Sequence, residues 1–364
     1  METTKVNIPY GKQSIDAKDI QAVIDALQSD FLTQGPKIRE FEDAFAQYIG
    51  CKYAIAVSNG TAALHLAAMA LGVDSNSRVI TTPITFAASA NCIAYCGGTV
   101  EFADIDPQTG LLDINSVRAK LERAPQGYYH GIIPVDFAGK AVNLEAFRQL
   151  ADEYGLWIIE DACHSPGGYF TDHQGKQQNC GNGRFADLAV FSFHPVKHIA
   201  CGEGGMITTN DKALYDKIMI LRTHGISKDP ALMHENHGGW YYEMQQLGFN
   251  YRLTDFQAAL GVTQLSKANK GLDRRREIAR RYDTAFQGTA VDNSVAAFDS
   301  GHAYHLYVIK VNNRKEVYDA LRQIGIYAQV HYIPVHTLPY YTDLGHKKGA
   351  HPHAENLYSR CLSL

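Results

Sequence analysis

No stretch of the 364-residue chain approaches the ~18 uninterrupted apolar residues that a membrane-spanning helix needs. Met1–Tyr10 lacks a basic segment followed by an apolar one, so no secretory leader is expected there. There is no CxxC pair. The seven cysteines (Cys51, Cys92, Cys96, Cys163, Cys180, Cys201 and Cys361) are odd in number and scattered. That pattern fits a reduced compartment better than a disulfide framework, and the cytoplasm is the expected location. Charge of one sign is not in excess either. The 34 Lys and Arg residues against 38 Asp and Glu leave a net charge of −4. Bulk attraction to nucleic acid or to an anionic membrane is therefore excluded, and neither is expected as a partner. Repeats and low-complexity segments are also lacking.

Apolar residues are plentiful, at 45% of the chain. At roughly 150 residues per domain the length suggests two domains. From about Cys51 to Thr223, apolar strands alternate with helical segments. Strands are expected at 53–57, 78–82, 99–105, 131–135, 156–159, 188–193 and 205–209, and helices at 61–71, 86–95 and 143–154. Strands apolar on both faces and spaced by helices predict an α/β fold with a mostly parallel, helix-covered sheet. Residues 265–286 read as one long, basic, solvated helix. Beyond it, 306–311, 315–323 and 329–332 give a strand–helix–strand pattern. We expect a large domain over residues 1–255 and a smaller C-terminal α/β domain over 256–364.

Some features invite over-reading. Gly181-Asn-Gly183-Arg-Phe-Ala186 nearly matches a dinucleotide fingerprint, but it precedes a strand instead of following one, and reads as a turn. His234 and His237 lack a matching pair of ligands and are followed by Gly238-Gly239, so a loop is expected and no metal site. The arginines at 274–276 and 280–281 read as a solvated helix face.

Four other stretches fall at the ends of expected strands, where open α/β sheets bind ligands. Ser58-Asn-Gly-Thr-Ala-Ala63 leads into a helix and offers the N–H groups of Thr61 and Ala62 beside Gly60, which suits either an anion or an ordinary cap. Glu160-Asp161-Ala-Cys-His164 follows four apolar residues. Adjacent carboxylates there are costly to bury, so one of them would face a cationic ligand group or cap the next segment. Phe191-Ser-Phe-His-Pro-Val-Lys197 places a lysine just past a strand, where desolvation would make it a Schiff-base nucleophile; the plain alternative is a solvated loop lysine. Gly202-Glu-Gly-Gly205 permits a tight turn. A phosphate cradle, a buried Asp and a strand-end Lys are what a pyridoxal phosphate (PLP) enzyme needs.

These motifs, with Thr82-Pro-Ile-Thr-Phe86 and Gly248-Phe-Asn-Tyr-Arg-Leu253, resemble those of the DegT/DnrJ/EryC1/StrS family of PLP-dependent nucleotide-sugar aminotransferases. The likeness runs along nearly the whole chain, in order. It implies fold type I, aspartate aminotransferase-like, with a mostly parallel seven-stranded sheet. Leu32-Thr-Gln-Gly35, Asp136-Phe-Ala-Gly-Lys140 and Ala328-Gln-Val-His-Tyr332 are most similar to the branch that aminates UDP-4-keto-6-deoxy-N-acetylhexosamines, of the pseudaminic acid type.

The resemblance implies a role for each matched residue. Lys197 would carry the cofactor and move protons, and Asp161 would pair with the pyridine nitrogen. Phe86 would stack on the ring, with His164 beside it. Gly60, Thr61, Ala62 and Ser192 would hold the phosphate. Asn250 would reach it from a second subunit, which implies a homodimer with the site at its interface. Tyr10, Asp30, Phe31, Leu32, Thr33, Val330, His331 and Tyr332 would line the nucleotide-sugar site. Glutamate is the implied amino donor and pyridoxamine 5′-phosphate (PMP) the intermediate form of the cofactor. Two departures stand out. Ala200-Cys201 replaces a frequent Thr or Ser, and the chain stops at Leu364, where relatives continue, so a truncated small domain is expected. The alternatives are an aminotransferase acting at C3 or on a dTDP- or GDP-sugar, and a non-catalytic truncated paralogue. A dehydratase of the same family would carry His in place of Lys197.

Overall fold

The computed structural model describes residues 7–364, so Met1–Val6 and the leader expectation resting on them lie outside the described residues. A seven-stranded sheet organises the chain. Its strands in chain order are β1 (Tyr53–Val57), β2 (Arg78–Thr81), β3 (Thr99–Phe102), β4 (Gly131–Ile133), β5 (Trp157–Asp161), β6 (Leu188–Ser192) and β7 (Gly205–Thr209). Across the sheet they run β1-β7-β6-β5-β4-β2-β3. Strands β3, β2, β4, β5 and β6 pair in parallel; β7 is antiparallel to both β6 and β1.

The strands are apolar on both faces because both faces are covered. Ile80, Ile132 and Ile158 belong to one buried cluster, and Val79, Ile133 and Ile159 to another. Each such aliphatic side chain contributes about 1.5–3 kcal/mol on burial. Alternation continues past the core: Glu160 projects to the side of Ile158 and Asp161 to the side of Ile159. Helix Gly60–Ala70 is buried nearly all round, which fits its run of Ala and Leu and places it between the sheet and its neighbours.

The expected strand and helix positions agree with the structure to within a few residues, with two corrections. Residues 265–286 are not one solvated helix. Helices Asp255–Ser266 and Ala268–Phe286 meet at Lys267, whose φ of −110° and ψ of 6° interrupt the ladder. The arginine run is not wholly solvated either. Arg275 donates to the Tyr304 carbonyl at 3.0 Å, and Arg280 lies 4.2 Å over the Phe298 ring. These cations satisfy backbone and aromatic faces of the 298–305 segment. The strand expected at 329–332 is also absent. Only Gln329 bridges, to Ser363, while the parallel pair there joins Ile326–Tyr327 to Ile8–Pro9. Gly181 and Gly183 form the expected turn, and His234 and His237 meet Glu243 and Glu235 within an exposed loop. No helix among the described residues is long and apolar enough to cross a membrane.

One buried ion pair ties helix Pro36–Ile49 to the sheet. Arg222 Nη1 lies 2.6 Å from Glu42 Oε1 and 2.7 Å from the Ala56 carbonyl, while the Ala56 N–H donates to the same Glu42 oxygen. Removing one partner strands the other charge. Glu42→Ala should therefore lower stability by about 3–5 kcal/mol in a denaturant melt. A loss below about 1 kcal/mol would show that water replaces the carboxylate.

Candidate active site

The carboxyl ends of β5 and β6 and the start of helix Gly60–Ala70 open onto a cavity of about 880 Å³. Its lining includes Gly60, Thr61, Ala62, Phe86, Asp161, His164, Ser192, Lys197, Tyr10, His331 and Tyr332, residues that lie far apart in the sequence.

Each is placed by local structure. Asn59 caps the helix, with its Oδ1 accepting the Ala62 N–H at 2.8 Å. The N–H groups of Gly60 and Thr61, in the first helical turn, have no carbonyl four residues back and are free to meet an anion. A Cβ on Gly60 would come within 3.0 Å of the Ser192 side chain, so glycine is what keeps that cradle open. Asp161, 6% exposed, accepts from Ser89 Oγ at 2.6 Å and from the Cys163 N–H at 3.2 Å. These donors fix the carboxyl group and aim it into the cavity. Lys197 follows β6 through a turn closed by its own N–H to the His194 carbonyl. Burial lowers the pKa of its ammonium, opposed by Cys163 and Asp161, so its Nζ is more readily deprotonated than that of a surface lysine.

Three of the five histidines in the cavity lining, His164, His305 and His331, are held neutral. Burial, and then the nearby Lys197 charge, push His164 well down and His331 to about 4. His164 Nε2 meets the Tyr332 hydroxyl at 3.1 Å, whereas its Nδ1 is buried without a partner. His305 packs against it, 4.3 Å between ring centres, and also has an unpartnered Nδ1. Exposed Phe86 stands at the mouth, 6.4 Å from the Tyr332 ring.

Six expected site residues lie outside the cavity as one chain builds it. Asn250 bridges Thr223 on an extended segment whose neighbours Phe249 and Tyr251 do line it. Asp30, Phe31, Leu32 and Thr33 lie on the surface, with Phe31 and Leu32 about half exposed. Val330 packs against the core. Ser89, His305 and Tyr251 were not anticipated. Thr85, four residues before Ser89, meets it at 2.7 Å between oxygens but does not by itself mark a site; the other two come from distant segments that only the fold brings in.

This is a fold and a site of the PLP-dependent sugar aminotransferase class. A family model described as the DegT/DnrJ/EryC1/StrS aminotransferase family matches residues 13–364, and the chain belongs to that family. It is 41% identical to the spore coat polysaccharide biosynthesis protein SpsC of Bacillus subtilis, over 98% of this chain and 91% of that protein. It is 38% identical to the UDP-4-amino-4,6-dideoxy-N-acetyl-beta-L-altrosamine transaminase of Campylobacter jejuni strain NCTC 11168, over 98% and 92%. Among solved structures it resembles Helicobacter pylori PseC, described as an aminotransferase involved in pseudoaminic acid biosynthesis. The TM-score there is 0.87, with 32% identity over 99% of this chain and 93% of that one. Solved neighbours also include PLP and PMP forms of a putative sugar aminotransferase from Streptococcus pneumoniae. The cofactor is PLP. The residues present fit it: an open N–H cradle suits a phosphate, a carboxylate suits a protonated ring nitrogen, and a buried lysine suits the aldehyde.

Proposed function

We propose that the chain transfers an amino group from glutamate to the C4 ketone of a UDP-4-keto-6-deoxy-N-acetylhexosamine, as a cytoplasmic homodimer of the pseudaminic acid type. The observation that carries this reading is the meeting of Lys197, Asp161 and His164 in one cavity, in a chain similar throughout to a transaminase named for that sugar class. PLP, when bound, supplies the electron sink. Lys197 would hold it and move the proton between the substrate carbon and the cofactor. Asp161 would keep the ring nitrogen protonated, Phe86 would cover a ring face, and His164 would use its free Nδ1 beside the ring substituents. Gly60, Thr61 and Ser192 would hold the phosphate; Ala62, expected to join them, gives its N–H to Asn59 instead.

A second copy completes the proposal. Apart from Lys197, no lysine or arginine among the described residues lines the cavity to meet a nucleotide diphosphate. Asn250 and the 30–33 segment face outward. Trp240, Leu247 and Met244 are 75%, 71% and 59% exposed in one chain, an apolar surface that a homodimer would cover. We read residues 1–255 as the large PLP-binding domain and 256–364 as the smaller one. The last strand, Cys361–Ser363, pairs with Val308–Lys310.

A half-reaction tests the substrates. Glutamate should bleach the cofactor's visible band. After removal of the donor, a UDP-4-keto-6-deoxy-N-acetylhexosamine should restore the band and yield a 4-amino sugar by mass spectrometry. If glutamate bleaches the band and only a dTDP-, GDP- or 3-keto sugar restores it, the sugar assignment is wrong. If only another amino acid bleaches it, the donor assignment is wrong.

A further inference from the structure

Beneath the cavity, on the opposite face of the sheet, lies a pair of carboxyl groups that the reaction does not use. We infer that Asp136 and Glu160 share one proton and act together as positioning residues for the turn Asp161–Ser165, which carries Asp161 and His164. The inference rests on the roles proposed for those two residues.

The geometry is specific. Asp136 follows β4, and its N–H donates to the Asp161 carbonyl at 3.0 Å, while the Asp161 N–H donates to the Pro134 carbonyl at 2.9 Å. The Asp136 side chain, fully buried, accepts from the Val142 N–H at 2.8 Å and from Ser165 Oγ at 2.5 Å. It therefore grips the far end of the turn whose near end is Asp161. Glu160, 1% exposed, accepts the Gly181 N–H at 2.8 Å through Oε2; its Oε1 is buried with no donor. An oxygen of each carboxyl and Cys180 Sγ lie within 4.8 Å of one another.

Two carboxylates cannot both stay ionised in that space without a cation, and among the described residues no cation is a main influence on either. A single proton on Glu160 removes the repulsion and gives Oε1 something to donate. The charged or titratable groups facing the pair are Asp161, Cys163 and Cys180: the Asp161 charge works against one on Glu160, the Cys180 thiol donates to Asp136 and favours its charge, and the Cys163 thiol stays neutral. Burial first, and then mutual repulsion, push Glu160 up strongly; burial also pushes Asp136 up. A metal ion is the poorer reading of the same cluster. Val142, Ser165 and Gly181 already occupy three of the four carboxyl oxygens, and the cluster is no part of the cavity lining.

The segment after Asp136 extends the support. Gly139 has φ +98°, and a Cβ there would lie 2.7 Å from the His164 carbonyl and 3.0 Å from the His305 N–H. Its own carbonyl accepts the Ala303 N–H at 2.7 Å. Glycine thus lets one turn seat both histidines of the cavity floor.

The sign of the pH effect follows. A carboxyl whose pKa is raised on folding contributes fully below its unfolded value, about 4.5. That contribution is lost as pH rises from there through the raised folded value. Glu160→Gln copies the protonated form, since its amide still accepts from Gly181 and can donate to Asp136.

The holoenzyme is melted from pH 5 to pH 9 without substrate, and PLP affinity is read from the visible band. Glu160→Gln should bind PLP within about threefold of wild type and should gain melting temperature relative to it as pH rises. Ser165→Ala removes the link from Asp136 to the turn, together with the hydroxyl's contact to the Ala162 carbonyl at 3.2 Å. It should weaken PLP binding about tenfold, whereas Glu160→Gln does not. Parallel melting curves for wild type and Glu160→Gln, or loss of PLP by that variant, would overturn the shared proton. Wild-type PLP affinity in Ser165→Ala would overturn the positioning role. Because the pH slope is read without substrate, failure of the roles assigned to Asp161 and His164 leaves that arm standing.

Discussion

Lys197→Ala lowers turnover by at least ~10²–10⁴-fold, the range that one positioned acid–base group supplies. The loss should exceed that range, because the same residue is proposed to hold the cofactor. Several features make Lys197 the lysine that matters. It is the only lysine among the described residues that lines the cavity, it follows β6 and lies near Asp161, and burial lowers the pKa of its ammonium. The substitution leaves no partner stranded, since no ion pair to the Nζ anchors the fold. Steady-state assays with saturating PLP, together with a thermal melt, check the result. Turnover within tenfold of wild type would transfer the role to another group.

Asp161→Asn should cost about 10²–10³-fold in kcat, the scale of removing one preorganised electrostatic contact in a closed site. The amide is nearly isosteric and can still accept from Ser89 at one oxygen, so the melting temperature should change little. What it cannot do is carry the negative charge that favours a protonated ring nitrogen. The loss should therefore fall on kcat with either substrate and spare KM. An unchanged kcat would mean that Asp161 serves only to hold Ser89 and the Cys163 N–H in place.

The seven sheet strands and the chemistry at their ends were legible because local pattern and tertiary role coincide there. Apolar runs buried on both faces can be little else; Asp161 ends such a run, and Gly60 and Lys197 follow one within a few residues. Where a residue's role is set by a distant partner, the pattern misleads. Arg275 looks solvated in a run of arginines, yet it serves the Tyr304 carbonyl. Residues 329–332 look like a strand, yet their side chains turn toward the cavity and the core. Ser89 and His305 carry no local signal strong enough to assign them, since Asp161 and His164, their partners, lie 72 and 141 residues away. Glu160 and Asp161 were read as a costly pair. The structure separates them by the alternation of β5, one into the cavity and one beneath it.

The most direct test is to reduce the PLP-loaded enzyme with borohydride and map the modified peptide. The account predicts one modified lysine, Lys197, and no incorporation into Lys197→Ala. Modification of another lysine, or equal labelling of the variant, would contradict it.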